Sequence, residues 1–338
     1  MKLQTFAGNA SNTTEETNGL NNDSLSCYHF NSVHFILGGI SPAWYIFSCV
    51  LNSVFTVTAI MINLLVLVAI RRTPSLHSPS STLLFGLALS DLGVGVIVHP
   101  LFFTLTLGKV SQNKDLFCEA GIAIEVAANA LCIISLLSVT AVSMDRYLAL
   151  KLHLRYNQLI TIKRVTLFIG IFWIVGAFIG TLWLYKPDMV KHSVMTTIAI
   201  CLSVATFSYI QIYRVVSRHY ISDMTLKWAL KQERVNQAVN MAKFKSHALG
   251  TFWVYCLIIV CYLPYFCVVI AITVTGPSTA KRFLYEMTAI LVFINSSLNP
   301  VVYCWRLRDI RIEVQKTAKL LSKFPWKTEI QPTMQTLR

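Results

Sequence analysis

A chain of 338 residues that is 55% hydrophobic and 13% charged, with a mean hydropathy of +0.59, is too apolar for a soluble domain of ordinary composition. Its formal charge of +14 does not indicate nucleic acid, because the basic residues stand in short blocks between apolar runs, where orientation signals lie. An integral membrane protein is the class that remains.

Residues 1–43 form a polar tail with the acceptor patterns Asn9-Ala10-Ser11, Asn12-Thr13-Thr14 and Asn22-Asp23-Ser24, so Asn9, Asn12 and Asn22 are candidate glycosylation sites on an extracellular end. No apolar core of a signal peptide follows Met1, so the first apolar helix is expected to act as the insertion signal. Seven apolar segments follow, at 44–70, 80–105, 116–150, 164–185, 193–217, 247–274 and 283–304, each near or above the roughly 20 residues that cross a bilayer. Segments of this length satisfy their own backbone as helices, so residues 44–304 predict an all-α seven-transmembrane bundle.

Arg71, Arg72, Lys151, Arg155, Lys163 and Arg164 flank the odd-numbered connections, and further basic residues precede the sixth segment and follow the seventh. The other connections carry only Lys109, Lys114, Lys186, Lys191, Lys281 and Arg282. This bias places the carboxyl end in the cytoplasm and the amino end outside a plasma-membrane protein. Residues 305–338 are a cytoplasmic tail. In it Leu307, Ile310, Val314 and Leu320 alternate with basic residues, as in a short amphipathic eighth helix on membrane lipid; the alternative is a solvated basic tail.

Most of the nine cysteines lie inside apolar runs and read as packing residues. Cys27 and Cys118 alone fall where an oxidising exterior could join them, leaving a bridge or two free thiols as the alternatives. Charged groups inside apolar segments are costly and mark function. Prominent among them are Asp91 in the second segment, Glu125 in the third, and the Asp145-Arg146 pair that closes the third.

Asp145-Arg146-Tyr147 resembles the end of the third transmembrane helix of rhodopsin-like (class A) G-protein-coupled receptors. Asn299-Pro300-Val301-Val302-Tyr303 resembles the family's seventh-helix motif, and Cys261-Tyr262-Leu263-Pro264 its sixth-helix hinge, with Tyr262 in place of tryptophan. Trp173 and Tyr209 stand where the family has a fourth-helix tryptophan and a fifth-helix tyrosine. The resemblance implies an activation switch of Asp145, Arg146, Tyr147, Tyr209, Tyr262, Pro264, Asn299, Pro300 and Tyr303, with Leu154 inserting into a heterotrimeric G protein. It further implies arrestin and receptor kinases as partners. Asp91, Ser135, Asn295 and Asn299 match the family's allosteric sodium site, the alternative being a purely structural polar network, and Asn63 would bond the surrounding network. Lys243 and Phe244 replace an acidic lock on Arg146 found in some receptors, so appreciable basal activity is expected.

The chain departs from the family in a short connection at about 186–192 without a cysteine, in Cys118 lying one turn early with Gly121 at the usual cysteine's place, and in lacking a fifth-segment proline. These features resemble the melanocortin, cannabinoid and lysophospholipid receptors, and residues 145–165 resemble adenosine receptors. Of the melanocortin receptors' acidic cluster only Glu125 is matched, with Leu101 and Gly121 in the other two places, and further ligand residues of the family are replaced. Val269 replaces the adenosine-binding asparagine, Ala128 the aspartate that binds amines, and Phe293 the retinal-bearing lysine. Glu125 is the expected anchor for a basic or donor group on an extracellular small molecule, lipid or short peptide; a bond to His99 or Asn129 is its structural alternative. Phe102, Phe103, Tyr262, Tyr265, Phe266 and Phe293 are the expected walls, with Ala128, Asn129 and Val269 also facing the ligand.

No catalytic or zinc-binding spacing joins the eight scattered histidines, so no enzymatic activity is expected. A transporter or channel is the other class weighed, but no inverted repeat is visible.

Overall fold

A computed structural model describes residues 42–152, 155–226, 234–276 and 278–322. α1 (Pro42–Arg72) leads through a 3-10 turn at Pro74–Leu76 into α2 (Pro79–Gly93). A π turn at Val94–Val98 joins α2 to α3 (His99–Val110). α4 (Lys114–Leu152), α5 (Tyr156–Leu159), α6 (Ile162–Leu182) and α7 (Pro187–Leu226) follow. α8 (Arg234–Thr275), α9 (Thr279–Arg306) and α10 (Arg308–Ser322) complete the chain. No strand occurs among the described residues. Seven stretches are long and apolar enough to cross a membrane, with α2, the π turn and α3 forming one of them.

Local chemistry sets where these helices begin. Ser78 accepts from the Ser81 amide with Pro79 in the first turn, Thr161 accepts from the Arg164 amide, and Ser278 from the Lys281 amide. Each such cap satisfies a donor that the helix leaves orphaned, for about 1 kcal/mol. Pro187 and Asp188 likewise favour a helix start. The connection expected over 186–192 is consequently shorter, with helix resuming at Pro187. Several helices also outrun their apolar segments: α3 continues to Val110 rather than ending at 105, and α8 begins at Arg234. Hydrophobicity sets what enters lipid, whereas backbone hydrogen bonding continues into polar turns at no such cost.

α4 is the central element, packed against α2, α3, α6, α7 and α8. Its buried stripe takes in Ile124, Leu131, Ser135, Ser138, Val142 and Asp145, spaced as one face of a helix. α6 approaches it through glycines. A Cβ on Gly176 would stand 2.5 Å from Ile134 Cγ1, and one on Gly180 would stand 2.7 Å from the Val126 carbonyl oxygen. α10 buries Ile310 against the bundle beside Leu307, which precedes it, and exposes Arg308, Arg311, Lys316 and Lys319, which makes it the amphipathic eighth helix.

Candidate functional site

Three polar sites lie along α4. The middle one is built on Asp91, which is fully buried. Ser135 of α4 donates to its Oδ1 at 2.9 Å, and the Asn299 amide of α9 donates to its Oδ2 at 3.0 Å. Asn63 does not reach the carboxylate. Its amide donates to the carbonyls of Ala59 (2.8 Å) and Ser296 (3.1 Å), stitching α1 to α9. Asn295 lies one helical turn before Asn299, on the same side of α9. The amide oxygens of Asn63, Asn295 and Asn299 are buried without a hydrogen-bond partner among the described residues.

Toward the carboxyl end of α4, Arg146 Nη2 stands 3.1 Å from Asp145 Oδ2. The same oxygen accepts from Ser80 Oγ at 2.7 Å, and Oδ1 accepts from the Tyr156 hydroxyl of α5. Burial and then the neighbouring Asp145 carboxylate push the Tyr156 phenol up to about 12. Tyr147 meets Phe207 edge-on at 6.0 Å between ring centres. Tyr209 stacks on Tyr255 at 4.8 Å, in a cluster with Leu150 and Ile212. Tyr303 is fully buried, and its hydroxyl has no hydrogen-bond partner among the described residues. Pro264 and Pro300 sit inside α8 and α9, where each removes a backbone donor. Leu154 lies outside the described residues.

Toward the amino end of α4 a cavity of about 110 Å³ opens between α3, α4, α7, α8 and α9. Phe102, Glu125, Ala128, Asn129, Tyr262, Tyr265 and Phe293 line it, as the sequence leads one to expect. Asn129 donates to Glu125 Oε2 at 3.2 Å and to the Glu125 carbonyl at 2.6 Å. Phe102 meets Phe293 edge-on at 5.9 Å, and Tyr262 reaches the Cys132 carbonyl at 3.4 Å. Val269 lines a smaller adjoining cavity that shares Glu125 and Asn129.

Two expected walls are corrected. Phe103 is exposed on the outside of the bundle, and Phe266 packs against the core without lining either cavity. An apolar helix has no polar face from which to read which aromatic looks inward. His99 does not meet Glu125 either; its Nδ1 lies 2.5 Å from Asn52 Oδ1, and Asn52 donates to the His99 carbonyl at 2.9 Å.

Sequence reasoning missed the polar rim. Lys109 Nζ lies 2.6 Å from Glu286 Oε1, and both line the cavity with Arg282 and Tyr285. Lys109 and Arg282 were legible only as connection charges, because they stand at the polar edges of their segments. Cys118 is disulfide-bonded, while Cys49, Cys132, Cys201, Cys256, Cys261, Cys267 and Cys304 are free. Cys27 and the acceptors Asn9, Asn12 and Asn22 lie outside the described residues.

The sequence profile of the 7 transmembrane receptor (rhodopsin family) matches residues 62–201 and 187–303. The adenosine receptor A3 of Canis lupus familiaris is 28% identical over 280 residues, covering 75% of this chain and 84% of that receptor. The adenosine receptor A2b of Gallus gallus is 26% identical over 331 residues, covering 85% and 92%. A 5-hydroxytryptamine receptor of Lymnaea stagnalis is 29% identical over 171 residues, covering 51% and 31%. With its seven apolar helices, the chain belongs to the rhodopsin family of seven-transmembrane receptors and is a G-protein-coupled receptor.

Proposed function

We propose that the chain is a plasma-membrane receptor, with its amino end outside, that converts ligand binding beside Glu125 into activation of a heterotrimeric G protein around Arg146. The observation that carries this reading is the placement of both sites on α4: a cavity with a carboxylate at one end, and the Asp145–Arg146 ion pair at the other. The uneven distribution of Lys and Arg among the connections supports a cytoplasmic Arg146 end. A ligand that fits one arrangement of the bundle better than another shifts its population by that difference in affinity. The prolines inside α8 and α9 supply the bendable segments through which the Arg146 end opens. Arrestin and receptor kinases are the further partners that the family implies, and membrane lipid is the partner of α10.

The ligand is a small molecule, lipid or short peptide whose basic or donor group meets Glu125. The similarity to adenosine receptors does not transfer adenosine, since Val269, which by resemblance takes the place of their asparagine, offers no hydrogen bond. Ala128 likewise carries no charge for an amine. A sodium ion fits the middle site: Asp91, Ser135, Asn295 and Asn299 supply hard oxygens, and the unpartnered amide oxygens of Asn295 and Asn299 are what such a cation needs. There it would neutralise Asp91 and hold α2, α4 and α9 in one arrangement.

The test is second-messenger output (cyclic AMP up or down, inositol phosphate) in cells expressing the chain, beside Arg146→Ala at matched surface levels. The expected result is an output without added ligand that Arg146→Ala abolishes, and which output moves identifies the G-protein class. Output equal to that of empty cells on every channel would overturn the expectation of basal activity.

A further inference from the structure

Two ionisable side chains of opposite character face the cavity without an ion-pair partner among the described residues. Four ionisable side chains line it: Lys109, Glu125, Arg282 and Glu286. Lys109 and Glu286 answer each other at 2.6 Å. The Glu125 carboxyl is hydrogen-bonded by the amide of Asn129, and Lys191, which shares the smaller adjoining cavity and lies 3.4 Å from Asp188, acts on it from beyond ion-pair distance. The guanidinium of Arg282 forms no ion pair among the described residues, and its Nε is buried without a hydrogen-bond partner among them. A basic and an acidic side chain that face one cavity without an ion-pair partner among the described residues suit a ligand that supplies both partners, since a buried unpaired charge is costly.

Their depths differ. Ser135 and Asn299 both meet Asp91, which fixes a common level on α4 and α9. At about 1.5 Å rise per residue, Glu125 lies about 15 Å above that level along α4 and Arg282 about 25 Å above it along α9. The charges are therefore offset by about 10 Å in depth. On α9 the cavity residues between those levels are Tyr285, Glu286 and Ala289, and Ile124 adjoins Glu125 on α4.

We infer that the ligand is a zwitterion: its ammonium or guanidinium meets Glu125 and Asn129, its acidic group meets Arg282, and the body that joins them runs along α9 past Ala289 and Tyr285. This inference rests on the reading of the cavity as the ligand site. A planar guanidinium pairs in bidentate fashion with either carboxylate or phosphate, so the acidic group is one of these. An amine with no acidic group leaves Arg282 unanswered. A simple fatty acid leaves Glu125 unanswered.

Purified receptor in lipid nanodiscs, followed by thermal unfolding, tests this without knowledge of the coupled G protein. The probes are 8-aminooctanoate, 8-aminooctyl phosphate, octylamine and octanoate, whose extended eight-carbon chain roughly matches the offset. Dissociation constants follow from the concentration dependence of the shift in Tm. Expected is binding of at least one zwitterion at least about tenfold tighter than octylamine or octanoate; the better of carboxylate and phosphate identifies the acidic group. Arg282→Gln should bring that zwitterion down to the level of octylamine, and Glu125→Gln to that of octanoate. Zwitterions that bind no better than octylamine, or an Arg282→Gln receptor that keeps the preference, would overturn the inference. Ala289→Trp, which fills the cavity, separates the two readings. Binding that Ala289→Trp abolishes but that shows no zwitterion preference overturns the inference alone, whereas binding that survives it overturns the cavity as the ligand site.

Discussion

Ser80 donates its hydroxyl to Asp145 Oδ2 at 2.7 Å, onto the same oxygen that Arg146 Nη2 meets at 3.1 Å. One carboxylate thus holds the start of α2, the end of α4 and, through Tyr156, the short helix α5. Arg146 is restrained by a group that is itself restrained. Replacing Asp145 with Asn keeps the shape but removes the charge that holds Arg146. Asp145→Asn is expected to raise ligand-free second-messenger output several-fold at matched surface expression, and Ser80→Ala less, since it removes one neutral donor. An Asp145→Asn output at or below wild type would count against the restraint.

Tyr156 titrates in a window set by its burial and by the same carboxylate. Its pKa lies near 12, above the ordinary phenol value of about 10, because burial and Asp145 both oppose the phenolate. A group whose folded pKa is raised stabilises fully below its unfolded pKa, and that contribution is lost as pH climbs through the folded value. The stabilisation from Tyr156 should hold below about pH 10 and decline between about 10 and 12. Absorbance titration of phenolate in wild type against Tyr156→Phe should lose a component near the top of that range, and Asp145→Asn should move that component down.

The Asp91 site predicts a response to sodium. Thermal unfolding of purified receptor in sodium chloride, compared with N-methylglucamine chloride at equal ionic strength, should show a Tm higher by a few °C in wild type. Asp91→Asn should remove the difference, and Asn295→Ala should shrink it, because that amide oxygen has no other partner among the described residues. An equal sodium response in Asp91→Asn would point to a cation bound elsewhere.

Lys109 and Glu286 join α3 to α9, with only 7% and 18% of their side chains exposed. Breaking such a pair strands the survivor, at a cost of about 3–5 kcal/mol where burial is complete and less here. Lys109→Met and Glu286→Gln should each lower Tm, and the double variant should lose less than the two single losses combined. Strict additivity would show that the pair carries no coupling.

Gly180 is a packing constraint of another kind. A Cβ there would stand 2.7 Å from a backbone oxygen of α4, which cannot swing aside as a side chain does, whereas Gly170 of the same helix faces open space. Gly180→Leu should cost about 1–3 kcal/mol and reduce surface expression, while Gly170→Leu should be neutral. Equal effects at both positions would remove close packing as the explanation.

The bundle was legible because seven long apolar runs admit few structures in lipid, and the Asp91 and Arg146 centres because polar residues stand out in such runs. Glu125 was found by the same contrast. Lys109, Arg282 and Glu286 were not, because a charge at the edge of an apolar run reads as its boundary until the helix is seen to continue past it. Phe103 and Phe266 were misplaced because a helix that is apolar all round does not show which side faces inward. The bonds from Ser80 and Tyr156 to Asp145 carry no sequence signal; only the fold brings those distant positions together.

The π turn at Val94–Val98 has a consequence for how such a receptor changes over generations. A π turn holds one residue more than the α-helical turn it replaces, so it sets the phase of everything on α3 relative to α2 by about 100°. Losing one residue there would swing His99 away from Asn52 and Lys109 away from Glu286 in a single step, while Asp91 on α2 stayed with Ser135 and Asn299. A one-codon deletion, rather than a series of substitutions, is thus the shortest evolutionary route to a new set of side chains over the cavity with the inner machinery inherited intact.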